Sequence, residues 1–96
     1  GAMTEDLPLQ AVRYLEALYE EATAAGRAFR RMGLPRWEAR LRAWAEADLW
    51  GGFASAYARA AMAAYQGSDP RAAFLKGLET KAARRELQRL IRELGG

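Results

Sequence analysis

The chain has 96 residues, 51% hydrophobic and 28% charged, with a net charge of +3. That length predicts one domain, because chains divide only beyond roughly 250 residues, and the composition is that of a folded chain rather than a disordered or collagen-like one. Cys and His are both absent, which excludes disulfides, thiol nucleophiles, His-based triads, His-ligated haem and zinc sites built on either residue.

Gly1-Ala2-Met3 reads as the remnant of a cleaved purification tag, leaving 4–96 as a single helical domain. Glu5 and Asp6 follow where a secretory leader would be basic and then apolar. With no cysteine, a cytoplasmic location is expected. Val12 and Ile91 are the only Val and Ile, and no run alternates apolar with polar. The expected fold is therefore all-α: a small four-helix bundle, or three helices with a kinked central one if Gly51-Gly52 only bends the chain.

The first helix is expected over residues 6–32, with Thr4 or Asp6 as cap and Pro8 in its first turn. Ala11, Leu15, Leu18, Ala22, Ala25, Phe29 and Met32 follow a 4-3 spacing, a heptad seam that Val12 and Tyr19 widen. Ala11, Ala22, Ala25 and Gly26 would let another helix approach it closely. Gly33-Leu34-Pro35 ends this helix, and a second over 36–49 sets Trp37, Leu41, Trp44 and Ala45 together.

A third helix over 52–66 is Ala-rich and has one charge, Arg59, so it should lie centrally, covered by the others. Trp50 and Tyr57 should be largely buried beside the glycine pair. Gly67-Ser68-Asp69-Pro70 is the next break, with Asp69 as cap and Pro70 in the first helical position. The last helix, over 70–94, carries two apolar patches: Phe74, Leu75, Leu78 and Ala82, then Leu87, Leu90, Ile91 and Leu94. The five-residue step between them predicts that the helix bends or that its distal half packs on something else, another subunit included.

Catalytic candidates are few. The hydroxyls, Thr4, Thr23, Ser55, Ser68, Thr80 and the tyrosines, have no His to activate them. Glu16, Glu20 and Glu21 cluster on the first helix, but helical di-metal sites draw carboxylates from several helices plus His. A solvated acidic face is the plainer reading. Gly51-Gly52 lacks the strand and the Lys-Ser/Thr of a phosphate loop. No catalytic residue, cofactor or metal is assigned, and an enzyme is not expected.

Charge is uneven along the chain: −4 over residues 1–26, +3 over 27–48, 0 over 49–70 and +4 over 71–96. Thirteen of the fifteen bases are Arg, a bias that a GC-rich genome, a thermophile's included, would produce, with ion-pair networks as its structural use. Lys81, Arg85 and Arg89 share one face of the last helix, with Arg84 and Arg92 alongside. Arg27, Arg30 and Arg31 crowd the end of the first, with Arg36 and Arg40 just beyond. Such clusters can neutralise phosphates. Glu79, Glu86 and Glu93 interleave, so a salt-bridged solvent face is the competing reading. Among the aromatics, Trp37, Trp44, Trp50, Tyr57 and Tyr65 are core by helical spacing or anchors at an interface.

Trp50-Gly51-Gly52, followed by Ala56-Tyr57 and Tyr65, resembles the Trp-x-Gly family of small secreted helical hairpins, whose motif forms the turn between two long helices. Tyr65-Gln66-Gly67-Ser68-Asp69 is similar to that family's export signal. Gly33-Leu34-Pro35 and Asp69-Pro70 interrupt the two helices this implies, and no membership is assigned.

Two functions remain open. One is a non-enzymatic helical interaction or assembly subunit that self-associates or docks on a protein partner. Its helix–helix interface would use Ala22, Ala25 and Phe29, or Leu87, Leu90, Ile91 and Leu94. The other is a basic accessory protein holding the phosphate backbone of DNA or RNA through Lys81, Arg84, Arg85, Arg89 and Arg92, with Arg27, Arg30 and Arg31. No membrane partner is expected.

Overall fold

The computed structural model describes residues 8–32, 36, 39, 42–43 and 52–94. Among them the fold is all-α, with no strand. Helix α1 spans Leu9–Met32, α2 Gly52–Gln66, α3 Pro70–Leu78 and α4 Lys81–Glu93. Arg36, Ala39, Arg42 and Ala43 are helical as well, inside the stretch expected to form the second helix. The expectations for Trp37, Leu41, Trp44, Trp50 and the Gly33-Leu34-Pro35 break lie outside the described residues.

Small side chains set the architecture. On α1, Ala11, Leu15 and Ala22 are buried along the expected seam. Gly26 sits so close to α2 that a Cβ on it would strike the Ala61 carbonyl oxygen and lie 2.6 Å from Ala64 Cβ. Tyr14 meets Phe53 at 5.9 Å between ring centroids. Matching Tyr14 to Phe53 and Gly26 to Ala64 sets α1 and α2 side by side, running in the same direction. The buried Thr23 hydroxyl donates within α1 to the Tyr19 and Glu20 carbonyls, each at 3.0 Å, so the tight packing leaves it satisfied.

Helix α2 is the centre of the bundle, as its composition implies. Gly52, Ser55, Ala56, Ala58, Ala60, Ala61, Ala63 and Ala64 are all buried. Tyr57 is only half-buried against this core, which corrects the expectation of a largely buried ring. An Ala-rich helix packs its neighbours close on its small faces, and the large ring is left at the edge of the contact.

Gly67, at φ 78°, supplies the left-handed residue after α2. The Asp69 carboxylate then accepts from the Arg71 and Ala72 N–H groups at 3.1 and 3.4 Å, with Pro70 in the first turn. Helix α3 returns along α2 with Gly77 against Ala56, where a Cβ would fall 2.5 Å from Ala56 Cα. Phe74 and Leu78 are buried, Phe74 meeting the Tyr19 ring edge-on at 5.5 Å.

The expected final helix over 70–94 is two helices. Glu79 closes α3, and Thr80 caps α4 by accepting from Ala83 N–H at 3.1 Å. The break falls between Leu78 and Ala82, within the first apolar patch, whereas the five-residue step from Ala82 to Leu87 lies inside α4 and does not interrupt it. Helix α4 then crosses the first turn of α2, with Ala83 directly on Gly52. A chain built this way is not the two-helix hairpin that the Trp-x-Gly resemblance implies. No described helix is long and apolar enough to cross a membrane.

Candidate nucleic-acid interface

The break before α4 decides which way its side chains point. Ala83 and Leu87 are buried against α2, and Ile91 packs partly on the same core. Lys81, Arg84, Arg85, Gln88, Arg89 and Arg92 are all exposed. Steps of three and four residues put these on one face of a helix, so α4 presents five cations together on its outer side.

The interleaved glutamates do not neutralise that face evenly. Glu86 turns inward, and its Oε2 accepts from the Phe53 backbone N–H at 3.3 Å, at the positive end of α2 where a carboxylate is favoured. Glu93 lies 3.4 Å from the Arg89 Nη1, an exposed pair of modest worth. Glu79 is exposed in the turn before Thr80. Lys81, Arg84, Arg85 and Arg92 have no ion-pair partner among the described residues.

The second basic group stands apart. Arg27, Arg30 and Arg31 are exposed at the end of α1, level with the last turn of α2. The Arg30 guanidinium lies against the Gly67 backbone, 2.8 Å from where a Cβ would stand. Because α4 crosses the opposite end of α2, about 22 Å away by helix rise, the two basic groups do not form one patch.

Of the residues read as an interface seam, Ala22 and Leu87 are buried inside the chain. Ala22 is 0% exposed and Leu87 5%, both within the core cluster. Phe29 packs partly on that cluster, and Ala25, Leu90 and Leu94 are half-buried. The seam of α1 is filled by α2 of the same chain. Reading along one helix cannot tell whether the helix filling a seam belongs to the same chain or to another.

Between α1 and α3 lies a cleft of about 200 Å3 that sequence reasoning missed, lined by Val12, Leu15, Tyr19, Phe74, Leu75 and Leu78. Glu16, Glu20 and Arg71 stand at the same site, with the Arg71 guanidinium 4.7 Å above the Tyr19 ring. Among the described residues, no three carboxylates gather closely enough to hold a metal ion. The only hint in the sequence was the acidic cluster, which reads equally well as solvated surface.

Fold and surface together define a small all-α module with one densely basic helix face. The chain is 60% identical over 77 residues to RNA ligase 1 of Bacteriophage TS2126; the match covers 80% of this chain and 20% of that protein. The chain therefore spans about a fifth of the length of the relative it matches. No family model and no solved structure matches it. This likeness corrects two expectations, that the chain is a non-enzymatic assembly subunit and that it has no part in an enzyme. The stretch it resembles is a segment of a protein named as a ligase. Nothing in composition or spacing could have revealed that, because a segment need not contain the reacting groups of the enzyme it belongs to.

Proposed function

We propose that this chain is one helical domain of an RNA-joining enzyme, and that the outer face of α4 holds the RNA by its phosphates. The reading rests on the five exposed cations of α4, from which Glu86 is withdrawn, in a chain similar to an RNA ligase. Arg suits the task, since its planar guanidinium offers paired donors to phosphate oxygens and also stacks on bases. A helix face with cations at every turn follows a phosphate backbone without reading its sequence. Such a grip would raise the local concentration of RNA ends for the ligation step, which the enzyme as a whole would perform.

Fluorescence anisotropy with a labelled single-stranded RNA at ~50 mM salt tests this. Arg84→Glu with Arg85→Glu should weaken binding at least about tenfold, while Arg27→Glu with Arg31→Glu changes it far less. Equal loss from both pairs would overturn the assignment to α4, and no binding by the parent chain would overturn the reading itself.

A further inference from the structure

We propose that the cleft between α1 and α3 is a protein-docking groove that takes a basic amphipathic helix of a partner protein, with an aliphatic side chain seated in the groove and an Arg or Lys one turn away facing Glu16 and Glu20. Size, exposed apolar surface and charge each point to such an occupant.

At about 200 Å3 the cleft is below the ~300–1,000 Å3 of small-molecule sites, and suits one or two side chains. Its floor is apolar, and that surface continues outward. Leu75, in its wall, is 42% exposed, and Leu9, one turn before Val12 on α1, is 63% exposed. An uncovered strip of this kind along two helices has the form of a helix-binding groove, read by anchors spaced at three and four residues.

Glu16 and Glu20 are one turn apart, and neither has an ion-pair partner among the described residues. Arg71, the cation at this site, sits over the Tyr19 ring and offsets only one of the two charges. The rim is left net negative. It would repel a phosphate backbone and attract a cationic side chain, so a protein helix is favoured over RNA here. The groove is distinct from the basic face of α4, and the proposal does not depend on that face binding RNA.

The probe is an amidated, acetylated peptide of roughly 14 residues with Leu at helical spacings of three and four and Arg on the flanking positions. Its control carries Glu for Arg. Titrated into the isotopically labelled chain, the basic peptide should shift the amide resonances of Val12, Tyr19 and Leu75, and the acidic peptide should not. Glu16→Gln with Glu20→Gln should weaken binding roughly fivefold and Leu75→Ser about tenfold. All three residues are exposed, so the variants should keep the thermal unfolding midpoint of the parent, which serves as the fold control. Equal binding of the two peptides, or shifts confined to other helices, would overturn the proposal. Movement of the same amides on adding RNA alone, marking a base pocket, or on concentrating the protein alone, marking a second copy, would overturn it too.

Discussion

At the residue scale, the sequence shows its small residues more plainly than its large ones. Ala11, Ala22 and Gly26 mark a close helix contact by spacing alone, and they make one. Tyr57 reads as core by the same spacing but stands at the edge of the contact. Burial raises its phenol above the usual value of 10.0, and the nearby Glu21 carboxylate adds to the rise. The unfolded chain then loses the proton first as pH climbs. The contribution of this group to stability is complete below pH 10 and is lost between there and its higher folded value. Tyr57→Phe should therefore unfold less steeply with pH above 10 than the parent, with Glu21→Gln in between. Thermal melts from pH 8 to 11 check this; parallel curves for parent and Tyr57→Phe would show a ring free in solvent. Glu86 was legible only as a charge. Its use, on the Phe53 amide, depends on a contact 33 residues away in sequence that no local pattern records.

At the element scale, α1 and α2 were readable because seam and composition agreed, while the cap expected at Thr4 or Asp6 lies outside the described residues. The end of α2 at Gly67 and the start of α3 at Asp69-Pro70 were readable because left-handed glycine, capping carboxylate and proline each have one use there. The division between α3 and α4 was not visible in the apolar pattern, because it falls in the regular four-residue step from Leu78 to Ala82 and the irregular step to Leu87 lies inside α4. Thr80 is an ordinary cap residue, but with no glycine or proline beside it the same letters suit a bent helix equally well. The break lets α4 turn across α2, and the crossing depends on Gly52. A Cβ there would overlap the Ala83 backbone and side chain, so neither helix could yield by a rotamer change. Gly52→Ala should cost about 1–3 kcal/mol through overpacking despite the better helix propensity of Ala. Chemical denaturation measures it, and a variant as stable as the parent would show that α4 does not press on that turn.

Over the whole molecule, charge is divided between two surfaces. The acidic side chains of α1 stand by an apolar cleft between α1 and α3, and the cations of α4 face outward where that helix crosses the first turn of α2. The −4 and +4 of the terminal stretches hinted at this division. Absent from the sequence was the knowledge that Glu86 leaves the basic face and that Arg27, Arg30 and Arg31 stand too far off to join it. The enzymatic context was not legible at all. It comes from a likeness to one fifth of a larger protein, and no pattern within the chain points to it.

The claim that α4 holds RNA by its phosphates is tested most directly by the salt dependence of single-stranded RNA binding. The four cations without an ion-pair partner among the described residues, Lys81, Arg84, Arg85 and Arg92, give an expected slope of log affinity against log salt of about −2.8, at −0.7 for each phosphate neutralised. Arg84→Ala with Arg85→Ala should flatten that slope by about 1.4. A parent slope near zero, or one unchanged in the double variant, would contradict it.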